Sequence, residues 1–275
     1  MKKFLKKKLI KQLMFKEKPL VSVIMNCHNG EKYLKESIKS LMYQTYKNWE
    51  LIFWDNSSFD NSKKIVKKFK DKRIKYFKSE KFQNLYHSRN LAIKKAKGKY
   101  VGFLDVDDLW EKTKLKKQMK YFLENQNTKI IYSNFFLINQ MKKKKDIGYK
   151  HLLPVGFITQ KILDNYSVGF VTTMLDKNVF KKYRFNSKYN IIGDFDFFIK
   201  ISQKYKFGCI QSPLTFYRVH DSNLSGKRID LHIKELKDWL SINKKRLKNL
   251  SFNTNSINKT LIKLRVKYYL KYLGV

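Results

Sequence analysis

Three short apolar runs, residues 20–25, 50–54 and 99–104, each end in a polar loop, and a stretch with helical spacing follows each of them. The helical stretches are 31–44, through Leu34, Ile38 and Leu41, then 61–70, and 112–124 after the third run. Between the second and third runs a short strand at 74–77 precedes a helix over 85–97, closed by Gly98. Strands alternating with helices at this pace build βαβ units, and those build a parallel sheet. The expected fold class is therefore α/β, a Rossmann-like, mixed but mainly parallel sheet flanked by helices. Such sheets bind ligands outside the carboxyl ends of their strands. That rule puts the loops 26–30, 55–58 and 105–108 along one edge.

The second half changes character. Strands are expected at 129–138 and 168–175, a hairpin tip at 142–146, and two short strands around Pro213 within 207–219. A loop and helix over 190–204 carry Asp194 and Asp196. Two amphipathic helices, 230–250 and 257–273, follow; in the second, Ile257, Leu261, Leu264, Tyr268 and Tyr272 share a face with lysines opposite. Residues 1–18 form a basic amphipathic stretch with Leu5, Leu9 and Leu13 on one side. The expected organisation is an N-terminal extension (1–18), one compact domain (19–228) and a basic helical tail (229–275).

The third loop holds Asp105, Asp107 and Asp108, in a chain with only 22 acidic residues against 61 basic ones. Carboxylates crowded in this way repel unless a cation lies among them. Mg²⁺ or Mn²⁺ suits such oxygen ligands and usually keeps substrate phosphate in its shell. The competing reading makes Asp107 or Asp108 the cap of a helix starting near Leu109. The net charge of +39 suggests a nucleic-acid binder. The lysines, however, are spread over every segment, and only seven residues are Arg: 73, 89, 184, 218, 228, 246 and 265. A diffuse lysine excess does not make a specific nucleic-acid face. Cys27 and Cys209 fit neither a zinc spacing nor a disulfide framework, which points to a reducing cytoplasm. No apolar run reaches the ~18 residues of a spanning helix.

The segments 21–30, 44–50 and 54–62, then Ser88-Arg89-Asn90, 103–108, 192–196 and 217–225, follow one another in an order that resembles a family-2 inverting glycosyltransferase with the GT-A fold. The resemblance covers roughly residues 20–226. It implies transfer of a sugar from a nucleotide-sugar, favouring a UDP-sugar, to a hydroxyl of a glycan or lipid-linked acceptor in cell-surface polysaccharide synthesis. On the nucleotide side it implies Asp55, which matches the acid that meets the base, with Asn26, Asn29, Arg89 and Asp105. Asp107 and His220 match the holders of Mg²⁺ or Mn²⁺, and Asp194 matches the general base. Three departures stand out. Asn56 occupies a position usually held by Asp, Gly193 stands where the family has the Glu of a Glu-Asp pair, and Asn26-Cys27-His28-Asn29 replaces the common Pro-Thr-Tyr-Asn. His28 is expected to be a loop histidine without a catalytic role. If 193 starts a helix, Asp194 faces the cleft and Asp196 lies about 200° round. The basic ends suggest docking on an anionic membrane surface from the cytoplasmic side; the competing reading packs the terminal helices on the domain. The competing functional classes are a charge-driven nucleic-acid binder and a nucleotidyltransferase. The latter would want a glycine-rich phosphate loop where only Gly30 is present.

Overall fold

The computed structural model describes residues 18–139, 144–221 and 223–272. Residues 1–17 of the N-terminal basic stretch and residues 142–143 of the expected hairpin tip lie outside them; residues 144–146 of that tip are strand. Nine strands form one sheet in the order β3-β2-β1-β4-β8-β6-β9-β5, with β7 on the outer part of β6. The strands are β1 (Val21–Cys27), β2 (Trp49–Asp55), β3 (Ile74–Lys78), β4 (Tyr100–Phe103), β5 (Leu109–Trp110), β6 (Ile130–Asn139), β7 (Lys144–Ile147), β8 (Met174–Asp176) and β9 (Phe207–Arg218). β3, β2, β1 and β4 run parallel, β8 turns antiparallel, and β6 and β9 pair in parallel beyond it.

Every residue of β2 is buried, as a strand covered on both faces requires. Val21, Val23 and Met25 pack on the side of helices α1 (Glu31–Met42), α2 (Ser62–Lys68) and α4 (Lys114–Glu124). Ile24, Ile52 and Trp54 face the larger core on the opposite side. That core includes α3 (Leu85–Lys95), α7 (Gly193–Ser202), α9 (Ile229–Asn249) and the start of α10 (Asn255–Tyr272). Shorter helices α5 (Thr159–Asp164), α6 (Val179–Lys182) and α8 (Leu224–Lys227) join these elements.

Four local expectations are corrected. Residues 207–218 form one strand, not two. Pro213 lies opposite Asn134, where the β6–β9 register slips, and a slip of this kind tolerates a residue without an N–H. Residues 170–172 form a 3₁₀ turn instead of strand. Thr172 and Thr173 turn their hydroxyls onto the carbonyls of Gly169 and Phe170 at 2.6 and 2.7 Å, the local bonding that competes with a ladder. Gly98 does not close α3, which ends at Lys95. A Cβ on Gly98 would meet Ser22 N at 2.6 Å and Leu20 O at 2.7 Å, so the residue allows a close approach to β1. Leu109–Trp110 is a strand paired with β9 and does not begin a helix.

The C-terminal helices are built into the body. In α9, Trp239 is fully buried and donates its indole N–H to Asp196 at 2.9 Å. In α10, Ile257 and Leu261 are buried, whereas Ile262, Val266, Tyr269 and Leu270 on the opposite side are exposed. Tyr268 on the inner face is 39% exposed, so burial along that face fades toward the C-terminus.

Candidate active site

The register places Asn26 beside Trp54 and Cys27 beside Asp55, so the loops after β1 and β2 leave the sheet together. Asn29 holds them to one another. Its φ is 54°, its backbone N–H donates to Ser58 Oγ at 3.0 Å, and its amide oxygen accepts from Phe59 N–H at 3.0 Å. Asp55 is buried: Oδ1 accepts from Ser58 N–H at 2.7 Å, closing a turn, and Oδ2 accepts from the Tyr76 hydroxyl. A carboxylate offers about four acceptor positions, so each oxygen keeps one beyond these bonds. Neither amide atom of Asn26 has a hydrogen-bond partner among the described residues, though both are buried. An unsatisfied buried amide costs ~1–3 kcal/mol, a cost that a ligand in this loop would remove. His28 is an exposed loop residue as expected, with its ring at 4.6 Å from Phe82 and 6.0 Å from Phe59.

Asn56 has a structural explanation. Its amide nitrogen donates to the Gln83 carbonyl at 2.8 Å, while its oxygen accepts from Gln83 N–H and Ser88 Oγ, both at 3.0 Å. A carboxylate could not make the first of these bonds.

The loop after β4 separates its three acids. Asp105 takes Arg89 at 3.1 Å, and the buried guanidinium lies 4.0 Å from the Phe170 ring centre. Burial acts to lower the Arg89 pKa, but the Asp105 carboxylate and neighbouring groups outweigh it and raise the value. Asp107 Oδ2 lies 3.0 Å from His220 Nε2. Burial, together with the Asp105 charge, pushes the Asp107 carboxyl upward, and the bond to His220 opposes this. Asp108 is not a helix cap. It is fully buried, and its Oδ1 accepts from Arg218 N–H at 2.9 Å. The Arg218 side chain donates to the Asp107 carbonyl at 2.7 Å and to Glu36 at 2.8 Å, and stacks over Tyr33 at 4.3 Å. One residue of β9, the strand that pairs with β5, thus fixes the acidic loop.

Among the described residues no group of three or more His, Cys, Asp or Glu converges as a ready-made metal cage. Asp107 and His220 supply one carboxylate and one imidazole. A hard cation held by one or two protein groups and completed by phosphate and water oxygens fits this donor set. Such a cation would oppose both burial and the neighbouring Asp105 charge, the two causes that push the Asp107 carboxyl upward.

Asp194 lies in the first turn of α7. Its Oδ1 accepts from the Tyr86 hydroxyl at 2.9 Å and its Oδ2 from the Tyr166 hydroxyl at 2.7 Å. Burial, reinforced by the Asp194 charge, pushes both phenols well up, so both are donors. Asp196 points elsewhere: it is buried against Trp239 and paired with Lys200 at 2.6 Å. Burial, with the charges of Asp108, Asp107, Asp105 and Asp194, raises the Tyr217 phenol pKa. Tyr86, Tyr166, Tyr217 and Arg218 carry no local motif that marks them; only the Tyr-Arg-Val-His run near the last strand hinted at the final pair.

The sequence pattern of "Glycosyl transferase family 2" matches residues 22–201, more than half of the chain. The chain belongs to this family. It is 37% identical over 166 residues to the Escherichia coli UDP-Glc:alpha-D-GlcNAc-diphosphoundecaprenol beta-1,3-glucosyltransferase WfgD, covering 60% of this chain and 64% of that protein. It is 32% identical over 162 residues to the putative teichuronic acid biosynthesis glycosyltransferase TuaG of Bacillus subtilis, covering 58% of this chain and 63% of that one. The chain thus spans less than two thirds of the length of these curated relatives. Among solved structures, S. aureus TarS 1–349 with UDP superposes with a TM-score of 0.63 at 21% identity, over 78% of this chain and 65% of that one. The Pyrobaculum calidifontis mannosyltransferase PcManGT with GDP-Man and Mn²⁺ gives 0.61 at 13%, over 86% and 71%. These likenesses establish the GT-A fold.

Proposed function

We propose that the chain transfers a sugar from a UDP-sugar to a hydroxyl of a lipid-diphosphate-linked glycan, with inversion at the anomeric carbon. The observation that carries this reading is the placement of two carboxylate groups: Asp105 and Asp107 in the loop after β4, and Asp194 gripped by two hydroxyls, one of them from Tyr86, whose ring centre lies 5.0 Å from the Arg89 guanidinium that pairs with Asp105. Asp194 accepts the proton of the acceptor hydroxyl as that oxygen attacks the anomeric carbon from the face opposite the leaving diphosphate. One carboxylate can serve both as acceptor of the two tyrosine bonds and as base, because lone pairs remain on each oxygen. Asn26 and Asp55 meet the nucleotide, and Arg89 holds Asp105 and balances its charge. Asp107 and His220 are the groups that would hold Mg²⁺ or Mn²⁺, which when bound offsets the charge developing on the leaving diphosphate. The relatives' printed activities support the choice of UDP-sugar and of a lipid-linked acceptor.

The acceptor class favours a site of action at the cytoplasmic face of a membrane. No helix among the described residues is long and apolar enough to cross one. The outer face of α10 supports peripheral docking: Ile262, Val266, Tyr269 and Leu270 are exposed beside Lys259, Lys263 and Arg265. The deciding experiment measures UDP release from UDP-glucose with Mn²⁺ and a synthetic N-acetylglucosaminyl-diphosphoryl lipid. Asp107→Asn and Asp194→Asn should each abolish turnover while UDP still raises the melting temperature of Asp194→Asn. Full activity in either variant refutes the assignment.

A further inference from the structure

Gly193 is the departure that most needs a physical account, because it removes the residue that precedes the base in the family pattern. Its backbone gives no reason for glycine. Among the described glycines only Gly156 has a positive φ. The reason is space. A Cβ at 193 would lie 2.4, 2.5 and 2.7 Å from the Cδ2, Cε2 and Cγ atoms of Tyr86. No real Cβ comes so near, so any larger residue here must displace the ring. The ring itself is not free to move: Tyr86 is 2% exposed and packs 5.5 Å from Phe185. Its hydroxyl has two acceptors in reach, the Ile191 carbonyl at 3.1 Å and the shorter, charged Asp194 Oδ1 at 2.9 Å. Tyr166 comes from a different segment, after α5, and takes the other carboxylate oxygen.

We propose that Tyr86 fills the place vacated at Gly193 and, with Tyr166, acts as a positioning clamp that fixes the plane of the Asp194 carboxylate for the acceptor hydroxyl. A carboxylate bonded at one oxygen can swing about its last torsion; bonded at both, by hydroxyls on separate elements, it cannot. Tyr86 also touches the donor side. The Arg89 guanidinium lies 5.0 Å from its ring centre and pairs with Asp105. The ring therefore stands as a wedge between the residue that holds the acidic loop and the residue that takes the proton. This inference rests on Asp194 being the base.

The test compares Tyr86→Phe, Tyr166→Phe and the double variant in the UDP-release assay, with Asp194→Asn as reference. Each single variant keeps its ring and loses only the hydroxyl. Each should lower kcat about tenfold with donor KM unchanged within about twofold, and the double variant should approach the Asp194→Asn level. A purely structural role would instead lower the melting temperature and leave the kcat of the folded fraction intact. Gly193→Glu should be inactive, and Tyr86→Ala combined with Gly193→Glu should recover activity above either single change, because the new side chain then has the room the ring left. Wild-type kcat in both phenylalanine variants, beside an inactive Asp194→Asn, overturns the clamp alone. An active Asp194→Asn overturns the base assignment beneath it. Should Tyr86→Phe fail to fold, Tyr166→Phe decides by the same kcat criterion.

Discussion

Glu235 should control the helix that carries Asp194, although it belongs to α9 and is 41 residues away from that residue (235 minus 194). Its Oε1 accepts from Asn190 N–H at 2.6 Å, and its Oε2 accepts from Ile191 N–H at 2.9 Å and Ile192 N–H at 3.2 Å. These are the last residues before α7, and that helix has no side-chain cap of its own. Glu235 is thus a cap delivered from another helix, with its charge at the positive end of the α7 dipole. Glu235→Ala leaves three N–H groups beneath α9 without an acceptor. Hydrogen bonds to charged groups contribute about 1.5–3 kcal/mol each, but three bonds to one carboxylate are not additive, and a total near 3–5 kcal/mol is reasonable. For a chain of this size that is a fall in melting temperature of about 6–15 °C. Glu235→Gln keeps one oxygen and turns an NH₂ toward the remaining N–H, so it should fall between wild type and alanine. Circular dichroism melts report the stability change, and kcat at a temperature where all three proteins are folded reports the placement of Asp194. A melt within about 2 °C of wild type for Glu235→Ala, with wild-type kcat, would refute the idea that α9 sets this helix.

Burial, with the Asp107 and Asp105 charges, pushes the Asp108 carboxyl well above the usual carboxylate range. The folded chain therefore holds a proton there that the unfolded chain releases near pH ~3.9, and this contribution is full below that pH and lost as pH rises through the folded value. Asp108→Asn keeps an acceptor for Arg218 N–H and should flatten that decline in melts taken across the acidic and neutral range; an unchanged slope counts against it. Asn56→Asp removes the donor to the Gln83 carbonyl in a buried site, at a cost of about 1–3 kcal/mol, and should loosen the nucleotide loops. The readout is a raised KM for UDP-glucose, and an unchanged KM would speak against the role given to this amide. Replacing Ile262, Val266 and Tyr269 by Ser should abolish flotation with phosphatidylglycerol vesicles yet leave UDP binding intact. Equal flotation of variant and wild type would remove α10 from the membrane reading.

The part of the molecule legible in its sequence is the part governed by short-range pattern. The runs at 20–25, 50–54 and 99–104 announced a parallel sheet because strands buried on both faces need continuous apolar residues. Once those strands were parallel, their loops had to share an edge. The family resemblance, with helical phase beside it, separated Asp194 from Asp196, and the structure sends one to the tyrosine hydroxyls and the other beneath Trp239. What the sequence concealed depends on partners far along the chain. Asp108 reads as a cap because helix-like spacing follows it, but its partner is Arg218, 110 residues on. Tyr86 meets Asp194 across 108 residues, and no local spacing encodes that meeting. Pro213 reads as a break because the slip that accommodates it shows only in the pairing with β6, where β9 advances three residues against one between Ser133 and Asn134.

The order in which a ribosome releases the chain gives the Arg218 knot a further consequence. Domains fold as they emerge, N-terminal part first. Strands β1 to β3 and one side of β4 can assemble early, with the loops after β1 and β2, since these pairings are among themselves. The acidic loop then waits for Arg218 to arrive and hold Asp107 and Asp108, and the helix of Asp194 waits longer, until Glu235 and Trp239 are out. A nascent chain is therefore built with its acidic loop before the helix of Asp194. On the roles proposed above, a ribosome stalled before residue 239 leaves behind an incomplete site rather than a slow enzyme.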